Sequence, residues 1–128
     1  MSITIKSARE IELMTEAGRI LEIVHDEMKK ALKPGITTHE IDALGEEVIR
    51  SYGCEPSFLN YNGYPASVCV SINHEVVHGI PSKKRIIKEG DIVSLDAGVI
   101  YKGYHSDAAR THAIGEISAE AQKLIEVT

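Results

Sequence analysis

The chain has 128 residues, of which 43% are hydrophobic, so it is long enough for about one domain with a real core. Its formal charge of −5 and its one short basic run, Lys83-Lys84-Arg85, argue against binding to nucleic acid, whose phosphates proteins neutralise with clustered Lys and Arg. No apolar run is long enough to span a bilayer and no signal-peptide pattern follows Met1, so we expect a cytoplasmic protein that does not associate with membranes.

Two amphipathic helices are predicted in the first 53 residues. Between Ser7 and Leu32 apolar residues recur every three or four positions, and a Glu stands three residues after Ser7 in the spacing of a capping box. Lys33-Pro34-Gly35 ends this helix. A second apolar stripe follows a similar capping pattern in residues 37–49 and stops at Gly53. We expect both stripes to face the core.

The histidines of the first 80 residues do not form a pattern typical of a metal site. His25 and His39 lie on the two predicted helices without a partner at metal-ligand spacing, so we predict that both are on the surface. His74 and His78 are four residues apart, but an extended segment ending in Gly-Ile-Pro is not the helix that a zinc-binding HExxH pair requires. His78 is a candidate acid/base or hydrogen-bonding group, and a buried structural histidine is an equally good interpretation.

Aromatic residues are concentrated after Gly53, in a segment rich in turn residues. Phe58, Tyr61 and Tyr64 are three of the six aromatic residues of the chain. They are candidates for the wall of a pocket, although composition alone favours the simpler interpretation that they cover a sheet. The alternation of residues 67–72 then predicts a strand, on which Cys69 points away from the apolar side and towards a potential pocket.

Residues 92–100 and 105–114 are rich in Val, Ile and Thr and are predicted to be the two strands of a hairpin. Lys102-Gly103 supplies a two-residue loop between Tyr101 and Tyr104. If those two tyrosines pair, paired positions sum to 205. The register of every other pair in the hairpin then follows.

This register predicts that Asp96 lies opposite Ala109 and that Asp107 lies opposite Gly98, so the two carboxylates share one face about 7–8 Å apart at Cα. His105 shares that face near the turn. Two close carboxylates repel, and a divalent cation would remove the conflict. Oxygen ligands suit Mg²⁺, Mn²⁺ or Fe²⁺ better than a structural zinc. The alternative is that Asp96 pairs with an Arg or caps a loop and that Asp107 is solvated.

Beyond Gly115, residues 117–128 predict the start of a third helix, with Ser118 as its cap. The apolar pattern has no C-cap before Thr128, so we expect the domain to be cut short.

Three long motifs resemble those of a known enzyme family. They are EIELMTEAGRI, FLNYNGYPASVCVSINHEVVHGIP and EGDIVSLDAGVIYKGYHSDAARTHAIG. With them the whole chain resembles the N-terminal half of a type I methionine aminopeptidase of the bacterial kind. The resemblance implies an α/β, more strictly α+β, pita-bread fold, in which an antiparallel curved sheet carries helices on one face. Residues 1–128 would form the N-terminal part of the catalytic domain, and the C-terminal half would be absent.

The resemblance also implies a metal-dependent hydrolase that removes the initiator methionine when the second residue is small. Asp96 and Asp107 match two of five ligands to two divalent metal ions, which are Mn, Fe, Co or Zn. His78 matches a catalytic histidine that contacts the substrate. The positions that match the lining of the methionine pocket are Phe58, Tyr61, Tyr64 and Cys69. The family's remaining ligands, one His and two Glu, and its second catalytic His belong to the half that is absent.

The implied partners are the N-termini of nascent polypeptides and the ribosome. Three interpretations stay open. The chain is a half-enzyme that is inactive until a C-terminal half is supplied, a non-catalytic pita-bread module that binds peptide or protein N-termini, or a symmetric homodimer in which a second copy takes the place of the missing half.

Overall fold

The computed structural model describes residues 7–59, 61–73 and 79–115, and within them two helices pack on one antiparallel sheet. The elements are α1 (Ala8–Ala31), α2 (Thr38–Ser51), β1 (Glu55–Pro56), a short 3-10 turn (Tyr61–Gly63), β2 (Val68–Ile72), β3 (Ile92–Tyr101) and β4 (Tyr104–Ala113). Neither α1 nor α2 combines the length and the apolar character that crossing a bilayer requires. The third helix predicted for residues 117–128 lies outside the described residues.

Both helices begin where their caps predict. The Ser7 hydroxyl accepts a hydrogen bond from Glu10 N at 3.1 Å, and the Glu10 carboxylate accepts one from Ser7 N at 3.4 Å, so the capping box of α1 is complete. At α2 the Thr37 hydroxyl accepts from Glu40 N at 3.1 Å. These bonds satisfy backbone donors that the first turn of a helix otherwise leaves free.

The sheet is built around β3, which pairs along its whole length with β4 on one side. On its other side the first half of β3 pairs with β2 and the second half with β1, and all the pairs are antiparallel. Tyr101 pairs with Tyr104, while Lys102 and Gly103 both have positive φ, as a tight two-residue hairpin loop requires. The predicted hairpin register is therefore confirmed.

Both helices lie on one face of the sheet, and the core is between the two layers. Val93, Leu95, Ala97 and Val99 of β3 belong to this core, and they alternate with positions on the opposite face. The largest fully buried side chains include Met28, Ile41, Ile49, Ile87, Leu95, Val24, Val68, Val93 and Val99. This arrangement confirms the predicted fold class, and it leaves the other face of the sheet open for a site.

The structure corrects part of the predicted α1 surface. His25 is buried, with 3% of its surface exposed, so the prediction of a surface histidine is wrong for this residue. It follows Leu21 by four positions and therefore shares the helix face that contacts the sheet, where its Nε2–H donates to Ala108 O at 2.9 Å. Conversely, Ile11 in the predicted core stripe is 54% exposed. His39 is half-buried.

A second histidine, His112 on β4, faces His25 between α1 and the sheet. Within the described residues, His25 Nδ1 and His112 Nε2 are buried without a hydrogen-bond partner. Burial lowers the pKa of both imidazoles. At His25 the hydrogen bond to Ala108 opposes this shift, the charge of Arg110 adds to it, and Asp26 opposes it weakly. At His112 the charges of Lys29 and Arg110 lower the pKa further. The pair is therefore neutral in the folded protein.

We expect the free energy of unfolding to fall as the pH drops below the ordinary histidine pKa of 6.5. Both pKa values are lower in the folded than in the unfolded chain, so the unfolded chain takes up protons first and acid favours unfolding. The contribution of the two neutral imidazoles to stability is complete above pH 6.5 and is lost as the pH falls towards their lowered pKa values in the folded protein. Urea unfolding at a series of pH values measures the slope, and His112→Phe should reduce it between pH 5 and 7. Identical slopes for the two proteins would contradict this prediction.

Candidate metal and substrate site

The face of the sheet opposite the helices carries a cavity of about 600 Å³. It is lined by Phe58, Tyr61, Gly63, Tyr64, Pro65, Cys69, Ile80, Asp96 and Asp107. The structure therefore brings together six of the seven residues that the sequence nominates for a site. The seventh, His78, lies outside the described residues. The sequence did not nominate Gly63, Pro65 or Ile80.

Asp96 and Asp107 form the acidic side of the cavity. The register places Asp96 opposite Ala109 and Asp107 opposite Gly98, so both carboxylates are on the same face. Among the described residues, none that lines the cavity is basic. Two carboxylates on one face of a sheet repel each other, and a cation is a ligand that relieves this repulsion.

The donor chemistry of this pair fits a divalent ion, because carboxylate oxygens suit Mg²⁺, Mn²⁺ and similar metals. Over residues 7–59, 61–73 and 79–115 no group of three or more His, Cys, Asp or Glu side chains is placed to hold a metal. Asp96 and Asp107 are thus two candidate ligands among the described residues, and a metal held there would need further ligands.

The opposite side of the cavity is apolar and partly rigid. The rings of Phe58 and Tyr64 meet edge to face, with centroids 6.5 Å apart and an angle of 90° between their planes. The Tyr64 hydroxyl donates to Val68 O at 3.0 Å, which fixes that ring against β2. Tyr61 and Ile80 are 70% and 58% exposed and stand at the mouth. This wall suits a flexible apolar side chain.

Cys69 joins the two sides of the cavity, because it pairs directly with Asp96 across the β2–β3 ladder. It is buried, and burial raises the pKa of its thiol. The carboxylates of Asp96 and Asp42 raise this pKa further, while a hydrogen bond with Tyr64 opposes the shift. Cys69 is therefore a neutral thiol at pH 7 and acts as an apolar wall residue rather than as a thiolate ligand.

Gly98 makes room for the segment that carries Phe58. A Cβ at this position would overlap Ser57 Oγ and would lie 3.3 Å from both Phe58 Cε1 and Asp107 Cβ. Because Gly98 has no side chain, Ser57 N can donate to Gly98 O at 3.1 Å, and Phe58 is held against β3. Sequence reasoning missed this contact. The signal was a glycine in the interior of a predicted strand, which often marks a close approach of backbone.

Comparison with known proteins identifies the family. The sequence-family model of metallopeptidase family M24 matches residues 12–128. Methionine aminopeptidase of Clostridium acetobutylicum is 56% identical over 126 residues, which cover 98% of this chain and 50% of the relative. Methionine aminopeptidase 1 of Bacillus subtilis is 50% identical, and the match covers 96% of this chain and 49% of the relative.

A solved structure gives the same result for the fold. Methionine aminopeptidase of Thermotoga maritima superposes with a TM-score of 0.94 at 41% identity, covering 99% of this chain and 51% of that protein. The chain thus spans about half the length of the relatives it matches. These findings confirm the resemblance seen in the sequence, and the chain belongs to metallopeptidase family M24.

Proposed function

We propose that this chain supplies the methionine-binding pocket and two metal ligands of a methionine aminopeptidase, which removes the initiator methionine from nascent proteins when the second residue is small. The observation that carries the proposal is that one cavity holds both an acidic pair and an apolar aromatic wall. A peptide N-terminus that begins with methionine needs both, since its side chain is apolar and its reacting carbonyl must be polarised.

In this proposal Asp96 and Asp107 hold divalent metal, and the complete site has two ions of Mn, Fe, Co or Zn with further ligands from a C-terminal half. When bound, such ions supply Lewis acidity and activate water for attack on a carbonyl. The carboxylates themselves compensate the charge of the metal and fix its place beside the apolar wall.

The other residues bind and orient the substrate. Phe58 and Tyr64 present ring faces and edges to the methionine side chain, and the neutral thiol of Cys69 adds a polarisable contact. Tyr61 closes the mouth against water. His78 is proposed to donate or accept a proton near the scissile bond and to contact the substrate.

The substrates proposed for the complete enzyme are nascent polypeptide N-termini, which places the protein in the cytoplasm close to the ribosome. Among the described strands, β4 pairs only with β3, so its second edge offers free backbone donors and acceptors. This edge is our proposed docking site for a C-terminal half, or for a second copy of the chain in a homodimer.

The test is release of methionine from the peptide Met-Ala-Ser, with and without Mn²⁺. The chain is assayed alone and mixed with a separately made C-terminal half, and Leu-Ala-Ser is the control peptide. We expect release only from the mixture, only with metal, and only from Met-Ala-Ser. Absence of metal-dependent release in every combination would contradict the proposal. If the chain alone binds Met-Ala-Ser without metal and never cleaves it, the non-catalytic binding module is supported instead.

A further inference from the structure

Two acidic residues of α2 hold the beginning of β2. Asp42 Oδ1 accepts hydrogen bonds from Ser67 N at 2.8 Å and from Val68 N at 2.9 Å. One turn further along the helix, Glu46 Oε1 accepts from Ser67 Oγ at 2.9 Å. We call these three bonds the α2 clasp. No step of the proposed reaction uses these carboxylates.

A glycine between the two acids allows the helix to come this close. A Cβ at Gly45 would lie 2.8 Å from Val68 Cγ2 and 3.0 Å from Met28 Sδ, so a larger residue would push α2 away from β2. Glycine inside a helix is destabilising relative to alanine, and the close approach explains why it is found here. Packing and hydrogen bonding thus independently hold α2 against Val68.

The clasp is also sheltered from water, which strengthens it. The Ser67 side chain is only 1% exposed, and Asp42 is half-buried. Burial raises the pKa of Asp42, and the two backbone N–H groups act against that shift because they bind the charged form. A carboxylate that accepts two backbone hydrogen bonds in such surroundings contributes more than a neutral pair would.

The residues held by the clasp lead directly to the cavity. Val68 O accepts the hydrogen bond from the Tyr64 hydroxyl, at 3.0 Å. The next residue, Cys69, lines the cavity and pairs with Asp96. A displacement of Ser67 and Val68 would therefore move the support of the Tyr64 ring and the Cys69 thiol together.

We propose that Asp42 is a positioning residue for the cavity, which sets Tyr64 and Cys69 in place by holding the backbone of Ser67 and Val68. Glu46 assists by fixing the Ser67 side chain. As a role in substrate recognition this rests on the proposed function, because the wall that Asp42 supports is the proposed methionine pocket.

The test compares Asp42→Ala with Asp42→Asn, which keeps a side-chain oxygen to accept both bonds. The matched control is Asp91→Ala. Asp91 also accepts two hydrogen bonds, from Lys88 N at 2.8 Å and from Asn73 Nδ2 at 3.1 Å, but it does not line the cavity. Melting temperatures show how much global stability each variant loses, so that local and global effects can be separated.

The readout is NMR of the whole chain without metal or substrate. In Asp42→Ala we expect amide exchange at Ser67 and Val68 to become at least about tenfold faster than the global loss explains. We also expect the resonances of Tyr64 and Cys69 to shift. Asp42→Asn should retain most of the wild-type exchange rates and shifts, and Asp91→Ala should leave the cavity resonances unchanged.

The proposal is overturned if folded Asp42→Ala leaves Tyr64 and Cys69 unshifted, or if Asp91→Ala shifts them equally. If Asp42→Ala does not fold, Glu46→Ala removes one bond of the clasp, together with an exposed ion pair to Arg50, and should shift the same resonances by less. Unchanged resonances in that variant would also overturn the proposal. Titration with L-methionine amide tests the pocket separately. Failure of the wild-type chain to bind it counts against the proposed function, whereas the NMR results on Asp42 decide the positioning role.

Discussion

Replacing Asp107 by Asn should lower the Mn²⁺ affinity of the chain by about a hundredfold or more. The two carboxylates on this face are the metal ligands we propose, and the substitution removes half of their charge while keeping the size of the side chain. An amide oxygen is a weaker ligand for a hard cation than a carboxylate, and affinity in such sites follows the number of charged ligands. Isothermal titration calorimetry measures the change.

The control is Asp26→Asn, which removes the same charge from an exposed position on α1, outside the cavity lining. We expect the Mn²⁺ affinity of this variant to stay within about twofold of wild type, because an exposed charge on the helix side of the sheet is screened by water and salt. Equal losses in the two variants would mean that Mn²⁺ responds to net charge alone, and the carboxylate pair would not be its site.

Gly79→Ala should be the most destabilising small substitution that we can name from the structure. Gly79 is buried against β2, where its carbonyl accepts from Val70 N at 2.8 Å. A Cβ here would overlap Val70 O and would lie 2.6 Å from Val70 C and 2.9 Å from Ser71 Cα. These are backbone atoms, which cannot rotate away. We expect a loss of about 3 kcal/mol in unfolding free energy.

Differential scanning calorimetry should show this loss as a melting temperature lower by about 10–20 °C. Gly18→Ala provides the matched comparison, because its nearest contact would be Ser106 Oγ at 4.0 Å and the residue lies inside α1. For Gly18→Ala we expect the free energy of unfolding to rise by up to about 1 kcal/mol, because alanine has the higher helix propensity. A Gly79→Ala protein that melts with the wild type would show that β2 and the segment at Gly79 are not in close contact.

The hairpin is the part of the fold that the sequence predicts in most detail. A two-residue loop pairs Tyr101 with Tyr104, and because strand side chains alternate with a period of two, every other pair follows. The shared face of Asp96 and Asp107 could therefore be predicted by counting. The helix starts were equally accessible, since their caps are local patterns such as Ser7 with Glu10.

Contacts between distant parts of the chain could not be predicted in this way. His25 bonds to Ala108, which is 83 residues away, and Asp42 bonds to Ser67, which is 25 residues away. In the sequence both are polar positions on amphipathic helices, so periodicity assigns them to the solvent side or leaves them unremarked. Only the placement of the helices against the sheet shows that the carboxylate and the imidazole reach backbone groups there.

The aromatic residues are an intermediate case. Composition favoured the interpretation that Phe58, Tyr61 and Tyr64 cover the sheet, whereas the family resemblance indicated a pocket. The structure places all three rings around the cavity that also contains Asp96 and Asp107. Neither hydrophobicity nor spacing distinguishes a ring that seals a core from a ring that faces a cavity, because both need apolar surface.

The most direct test of the proposed metal site at Asp96 and Asp107 is to locate Mn²⁺ on the wild-type chain. Paramagnetic broadening of NMR signals gives this position. Small additions of Mn²⁺ should first broaden the signals of Asp96 and Asp107 and of the neighbouring Cys69 and Gly98, and spare those of α1. Addition of a chelator should restore them. Broadening that begins elsewhere, or no selective broadening at any concentration, would contradict a metal site beside the aromatic wall.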